Sequence, residues 1–207
     1  KAVQTINREI APAVRGMDAR DYEAIDRIMI EWDGTPGKSR FGANALLGVS
    51  MAVVRAAANA DNVPLYRFLG GEKENIIPCP MFNVLNGGVH ANWQGPDFQE
   101  FMICPVGAPN FREALRWASE TYQALKEILK DKGYSVGVGD EGGFAPALKR
   151  NEDAVEVILE AIRKAGYRPG DDFVVALDPA SSAFYDEGTY NLRTEGRNLT
   201  SDEMVHL

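Results

Sequence analysis

The stretch FVVALD, at residues 173–178, is the clearest indication of the fold. Its five consecutive apolar residues have the length of a strand, and an apolar run without alternation is typical of a parallel strand buried on both faces. Asp178 follows at the carboxyl end of this run. We therefore predict an α/β fold, with a carboxylate at a position where barrel folds of this class hold their active-site groups.

Two strands and two helices are predicted before this stretch. Residues 79–85 and 98–105 have strand composition, and the polar loop that joins them suggests an antiparallel pair. Asn110 begins a long helix, and Asn151 caps a second helix that ends at Gly166. The order strand, strand, helix, helix, strand predicts the start of an irregular, TIM-like α/β barrel.

The first part of the chain is predicted to be helical. Asp18 can cap a helix that ends at Gly34. Residues 44–60 are rich in Ala, Leu, Val and Met with almost no polar face, which predicts a helix buried on all sides. The linker-like sequence GGEK that follows predicts a boundary between a helical domain at residues 1–72 and an α/β domain at residues 73–207.

Composition and charge argue against several classes of protein. The formal net charge of −8 disfavours a nucleic-acid partner, because phosphate neutralisation needs clustered Lys and Arg. We find no stretch long and apolar enough to cross a bilayer and expect no membrane partner. Cys79 and Cys104 are too few for a disulfide framework or a zinc site, which suits a reducing, cytoplasmic location.

The stretch GDEGG, at residues 139–143, is the main candidate for chemistry. Its glycines allow unusual backbone angles and a close approach to a ligand, so Asp140 and Glu141 could face a pocket. In isolation the pattern is also typical of an acidic surface turn. Residues 137–142 match a dinucleotide-binding pattern, but they follow a helix end and carry negative charge where a pyrophosphate would approach, so we reject a nucleotide site.

Three other polar residues are candidates. Asp178 could ligate a hard cation such as Mg²⁺, or it could simply cap its strand. Glu100 lies within an apolar run, where an unpaired charge is costly, so it is either functional or held by a structural partner. His90 follows a Gly-Gly turn and is a candidate for ligand contact, although many surface histidines have no such role.

Five longer motifs place these residues in a common context. They are GANALLGVS at 42–50, NVLNGGVHA at 83–91, QEFM at 99–102, GDEGG at 139–143 and LDPASS at 177–182. Together, and in this order, they resemble enolase (phosphopyruvate hydratase), and the similarity runs the length of the chain. The resemblance implies an internal fragment of an enolase, with the helical part of the N-terminal domain followed by the first part of the barrel domain.

The resemblance also implies a reaction, the dehydration of 2-phosphoglycerate to phosphoenolpyruvate with Mg²⁺ stabilising an enolate. By motif, Glu141 would be the general acid that protonates the departing hydroxyl group. Glu100 would be the second carboxylate whose negative charge keeps Glu141 protonated near neutral pH.

The remaining roles follow from the same resemblance. Asp178 would be one of three carboxylate ligands of Mg²⁺, and His90 would close over the substrate from a mobile loop. Gln99 would line the pocket, and residues 186–200 would correspond to another mobile loop. The family is usually homodimeric.

Parts of the family's site fall outside this sequence. The serine-containing loop would precede Lys1, and the two other metal carboxylates, the lysine base and the phosphate-binding residues would follow Leu207, so the fragment is expected to be inactive alone. Ala183 replaces the usual Glu, and residues 92–96 form an unusual version of the loop after His90. The alternatives are a non-catalytic interaction or scaffold protein, or another lyase or racemase of the enolase superfamily.

Overall fold

The computed structural model describes residues 1–71 and 76–207 and separates the chain into two compact units, Lys1–Ile76 and Ile77–Leu207. The predicted boundary between residues 72 and 73 lies in the segment outside the described residues.

The first unit is helical in its described part. Its core consists of apolar side chains, with Ile10, Ile25, Met29 and Leu46 among them. The helices are α1 (Ala2–Thr5), a π-helical turn (Ile6–Ile10), α2 (Ala11–Val14), α3 (Tyr22–Asp33), α4 (Ala43–Ala60) and α5 (Leu65–Gly70).

The two ends of α3 differ in how well the sequence predicts them. The chain leaves the helix at Gly34, whose φ of +67° is in the left-handed region, which confirms Gly34 as the end of the helix. Asp18 was the wrong cap, because its Oδ1 accepts a hydrogen bond from the Arg20 N–H and the helix begins only at Tyr22. A short polar turn before the helix therefore uses the Asp18 side chain instead.

Helix α4 contradicts two predictions. Its 18 residues, with a mean hydropathy of 1.2, are long and apolar enough to cross a membrane by length and composition. Only 22% of this segment is buried, and Leu47 is 59% exposed, so the helix is not buried on all sides. Its apolar residues surround the whole helix, but within the described residues the neighbouring helices cover only one face.

The second unit contains the predicted order strand, strand, helix, helix, strand, which is confirmed. The elements are β1 (Phe82–Asn86), β2 (Glu100–Cys104), α6 (Phe111–Asp131), α7 (Asn151–Lys164) and β3 (Val174–Asp178). Strands β1 and β2 form the predicted antiparallel pair, and the sheet order is β1-β2-β3. Apolar side chains of this sheet pack against the two helices, with Phe101, Leu125, Ile158 and Phe173 fully buried.

Strand β3 differs from its prediction in direction and in burial. It runs antiparallel to β2, and Val174 and Leu177 are exposed. An apolar run does not specify the direction of its neighbour. In the part of the chain that the structure describes, β3 is also the last strand of its sheet, so its outer side chains remain uncovered.

The segment expected to be a mobile loop, residues 186–200, lies largely within a second antiparallel sheet. Strands β4 (Tyr185–Asp186), β5 (Thr189–Leu192) and β6 (Arg197–Leu199) form a meander. Helix α8 (Ser201–Val205) follows, with a capping box between Thr200 and Glu203. Hydrogen-bonded strands therefore replace the loop predicted from the family resemblance.

The starts of α6 and α7 show one correct and one wrong prediction. Asn110 caps α6, since its Oδ1 accepts a hydrogen bond from the Glu113 N–H at 3.0 Å. Asn151 is instead the first residue of α7, and its Oδ1 accepts a hydrogen bond from the distant Phe98 N–H at 2.9 Å. The Asn151 side chain is therefore not free to cap its own helix.

Candidate active site

Three strand termini lie side by side at one end of the first sheet, which we call the strand edge. Because neighbouring strands are antiparallel, the end of β1, the start of β2 and the end of β3 lie side by side. The register places Asn86 opposite Glu100, and Glu100 opposite Asp178. This edge therefore brings Glu100 and Asp178 together, as the predicted site requires.

The GDEGG loop is held against β1 by backbone hydrogen bonds. The Phe144 N–H donates to the Val84 carbonyl at 3.0 Å, and the Asn86 N–H donates to the Phe144 carbonyl at 2.8 Å. A Cβ at Gly143 would lie 2.6 Å from Asn86 Oδ1, so only glycine allows this approach. The Tyr122 hydroxyl also donates to the Gly142 carbonyl at 2.8 Å. The sequence thus fixes the loop where Glu141 faces the strand ends.

His90, Glu100 and Glu141 converge at this edge, with one ligand atom from each residue within 4.8 Å of the others. His90 lies in the 3₁₀ turn Gly88–Ala91, with its side chain 20% exposed, and its Nδ1 is 3.7 Å from Glu141 Oε2. The turn needs Gly87, because a Cβ there would lie 2.2 Å from the Pro96 carbonyl oxygen. Three of the predicted site residues therefore share one cluster.

The two glutamates share one proton. A hydrogen bond with Glu141, burial, and repulsion from Glu141 and Asp178 raise the pKa of Glu100 from 4.5 to about 7. The pKa of Glu141 is lowered, chiefly because its carboxylate accepts the hydrogen bond from Glu100 and also one from Asn83. Like-charge repulsion thus keeps one proton on the pair, and this proton belongs to the pair rather than to either residue alone.

Asn83 is a site residue that the sequence analysis missed. Its Nδ2 donates a hydrogen bond to Glu141 Oε2 at 3.0 Å. The available signal was an asparagine among the apolar side chains of the predicted strand at residues 79–85.

Gln99 and Asp178 flank this cluster. Gln99 is half-buried next to Glu100, and its carbonyl accepts a hydrogen bond from Asn86 Nδ2 at 3.2 Å. Asp178 is exposed at the end of β3, where its Oδ1 accepts a hydrogen bond from the Ala180 N–H at 2.9 Å. The strand edge therefore holds all five predicted site residues, with Asp178 beside the triad rather than within it.

Asp178 and the triad of His90, Glu100 and Glu141 are the two candidates for holding a metal ion. The Asp178 carboxylate is an oxygen ligand at an open strand end, which fits Mg²⁺ as one of a few protein ligands. The triad of His90, Glu100 and Glu141 mixes nitrogen and oxygen, a set that suits Zn²⁺-like ions better. Since Mg²⁺ prefers oxygen ligands, the Asp178 carboxylate fits it better than the triad does.

The two departures from the family pattern have different surroundings. In the loop at residues 92–96, Asn92 and Trp93 adopt positive φ, and the Arg193 guanidinium lies 4.3 Å from the centre of the Trp93 ring. The Thr194 hydroxyl donates to the Gly95 carbonyl at 2.6 Å, so this loop is fastened to the turn between β5 and β6. Ala183 is exposed in a 3₁₀ turn, and nothing in the structure explains its replacement of Glu.

Comparison with known proteins agrees along the whole chain. The family model described as "Enolase, C-terminal TIM barrel domain" matches residues 74–207, and "Enolase, N-terminal domain" matches residues 1–69. Enolase 2 of Pseudomonas syringae pv. tomato is 62% identical over 207 residues, which are 100% of this chain and 48% of that protein. Enolase 1 of Methanospirillum hungatei JF-1 is 55% identical over 205 residues, 99% of this chain and 48% of that protein. The chain thus spans about half the length of the curated relatives it matches.

Proposed function

This chain belongs to the enolase family, and we propose that the complete protein dehydrates 2-phosphoglycerate to phosphoenolpyruvate. The supporting observation is the pair formed by Glu100 and Glu141, which holds one proton at the strand edge. A carboxyl group that keeps its proton near neutral pH can deliver it to a departing hydroxyl group. The reaction needs such a donor, because hydroxide is a poor leaving group.

Glu100 and Glu141 have different roles in the proposed reaction because they differ in position. Glu100, more buried and closer to Asp178, stores the proton. Glu141, held against β1 and 42% exposed, faces the open side of the edge and passes the proton to the leaving hydroxyl. His90 and Gln99, on either side of the pair, bind the substrate and limit the access of water.

The same edge accounts for the metal requirement of the proposed reaction. Removal of a proton next to a carboxylate produces an enolate, whose growing charge Mg²⁺ stabilises as a Lewis acid when bound. Asp178 would supply one oxygen ligand, and its hydrogen bond from Ala180 fixes the orientation of the carboxylate. The raised pKa of Glu100, about 7, reduces the negative charge beside Asp178 at pH values below 7.

Other properties are proposed from the same family membership. The complete protein would be a cytoplasmic homodimer without a nucleic-acid or membrane partner, and this segment alone would be inactive. The net charge of −8 supports the lack of a nucleic-acid partner, and the free Cys79 and Cys104 suit a reducing compartment. The exposed apolar face of α4 would be covered within the complete protein, since α4 lies within the matched N-terminal enolase domain.

The test uses the complete protein, 2-phosphoglycerate and Mg²⁺, with phosphoenolpyruvate followed by its ultraviolet absorbance. Glu141→Gln should lower turnover by about 10³-fold, because the side chain can no longer transfer a proton. Its melting temperature should stay near that of the wild type, since Glu141 is exposed.

Asp140→Asn is the matched control, because it removes a neighbouring exposed carboxylate of the same loop. It should keep most of the turnover. Near-normal turnover in Glu141→Gln would contradict the acid role. An inactive wild type would overturn the proposed reaction, and a panel of other carboxylic acids would then show whether the protein is a different enolase-superfamily lyase or racemase.

A further inference from the structure

We propose that Asn83 is a positioning residue that orients the Glu141 carboxylate for proton delivery to the leaving hydroxyl group. This inference rests on the proposed function. Asn83 lies on β1, and its Nδ2 reaches Glu141 Oε2 at 3.0 Å across 58 residues of sequence. It contacts the Glu141 carboxylate, so it acts through Glu141.

The contact distinguishes the two oxygens of Glu141. Oε2 accepts the hydrogen bond from Asn83 and also lies 3.7 Å from His90 Nδ1. A carboxylate oxygen that already faces two nitrogen groups is the less available one for a proton. Oε1 is therefore the oxygen that exchanges a proton with Glu100 and the substrate.

Backbone hydrogen bonds hold the loop that carries Glu141 against the strand that carries Asn83. The register between β1 and β2 shifts between Asn83 and Leu85. Next to this shift, the Phe144 N–H donates a hydrogen bond to the Val84 carbonyl and so ties the loop to β1. A Cβ at Gly143 would lie 3.0 Å from Asn83 Oδ1, so the loop packs directly on the Asn83 amide. The contact is thus built into the fold.

The Oδ1 atom of Asn83 supports the same role. Its Oδ1 is buried and has no hydrogen-bond partner within the described residues. An amide turned the other way would place Oδ1 against the Glu141 carboxylate, where two oxygens repel. Asn83 therefore leaves its buried Oδ1 unpaired while Nδ2 binds Glu141. Buried polar groups are normally paired, and departures from this rule occur at functional sites.

The chemistry separates into two steps that respond differently to this contact. In the first step the C–H bond next to the carboxylate breaks, and the proton goes to the base supplied by the rest of the enzyme. In the second step the C–O bond of the hydroxyl group breaks, and the oxygen leaves as water with the proton from the glutamate pair. Asn83 acts through Glu141, so it affects only the second step.

The experiment measures both steps in the complete protein. Exchange of the C2 hydrogen of 2-phosphoglycerate with D₂O reports the first step, and phosphoenolpyruvate formation reports both. Asn83→Leu keeps the shape of the side chain without the donor, and Asn83→Ala is the second variant if leucine disturbs packing. Both should lower phosphoenolpyruvate formation by about 10–100-fold, as expected for the loss of a hydrogen bond to a charged group, while exchange stays close to the wild-type rate.

Tyr122→Phe is the matched control, because it removes a hydrogen bond to Gly142 in the same loop without contacting Glu141 through that bond. It should change the two rates in equal proportion. An equal loss of both rates in the Asn83 variants, or no loss of either, would overturn the inference and leave Asn83 as a structural residue. A wild type that shows neither exchange nor product would instead refute the proposed function.

Discussion

Two groups of buried polar side chains in the second unit differ in how completely their atoms are paired. At the strand edge, Asn83 Oδ1, Asn86 Oδ1 and His90 Nδ1 are buried and lack hydrogen-bond partners within the described residues. Near the turn between β5 and β6, by contrast, the buried side chains of Asp97 and Asn151 have hydrogen-bond partners. Paired groups stabilise a fold, whereas unpaired ones persist mainly where function requires them.

The paired group is a network around the two residues just named. Asp97 is only 1% exposed, and its carboxylate accepts hydrogen bonds from the Thr194 N–H at 3.0 and 3.2 Å. Asn151 Nδ2 donates to Glu195 Oε1 at 2.9 Å, and the Asn151 N–H donates to the same oxygen. The network joins the start of α7 to the second sheet. We expect its loss to affect stability, and losses at the strand edge to affect catalysis.

The largest effect expected from a further change at the strand edge is on metal binding. Asp178→Asn should raise the Mg²⁺ concentration needed for half-maximal activity by about 100-fold, since even an outer-shell change near a metal costs about 10–100-fold. The melting temperature without Mg²⁺ should hardly change, because Asp178 is exposed.

Asp186→Asn, at another exposed carboxylate, is the control for this variant and should titrate like the wild type. An unchanged Mg²⁺ titration in Asp178→Asn would show that Asp178 is not a ligand. A large loss of stability in that variant would mean that the strand edge, like the paired network, contributes to stability.

The paired network should respond in the opposite way. Asp97→Ala should lower the free energy of unfolding by about 2–4 kcal/mol, because it empties a buried site and leaves the half-buried backbone N–H groups of Thr194 and Glu195 without this acceptor. Chemical denaturation of the complete protein measures this change. Asp186→Ala should cost far less, and equal losses in the two variants would contradict the structural role of the network.

Local signals allowed part of the fold to be predicted from the sequence. Asn110 and Gly34 were assigned correctly, because a capping side chain and a left-handed glycine act within a few residues of their own position. Asn151 was assigned wrongly for the opposite reason. Its side chain is bound by Phe98, 53 residues away, and no local pattern contains that information.

The candidate site shows the same limit. Motif resemblance brought His90, Gln99, Glu100, Glu141 and Asp178 to one strand edge, where the structure also places them. It did not identify Asn83, nor did it show that the pKa of Glu100 is raised while that of Glu141 is lowered. Both depend on which atoms face each other after folding. The direction of β3 likewise depends on its neighbour and not on its own residues.

The smallest expected effect is the pH dependence of stability that Glu100 produces. Its pKa of about 7 in the folded protein lies above the ordinary 4.5, so the folded state binds this proton more tightly than the unfolded chain. The resulting stabilisation is complete below pH 4.5 and is lost as the pH rises to about 7. Glu141, whose pKa is lowered, acts in the opposite direction and only at lower pH.

Glu100→Gln should therefore lack this decline between pH 4.5 and 7, as measured by thermal unfolding of the wild type and the variant without Mg²⁺. Parallel pH profiles would mean that Glu100 titrates normally. The paired network would then no longer differ from the strand edge in this respect.

Titration of the Glu100 carboxyl carbon by NMR, in the complete protein labelled with ¹³C at its glutamate side chains, tests most directly whether Glu100 and Glu141 share one proton. We predict a midpoint near pH 7 in the wild type and a clear shift toward 4.5 in Glu141→Gln, where the neighbouring charge is gone. A midpoint near 4.5 in the wild type, or one unaffected by Glu141→Gln, would contradict the shared proton on which the proposed chemistry depends.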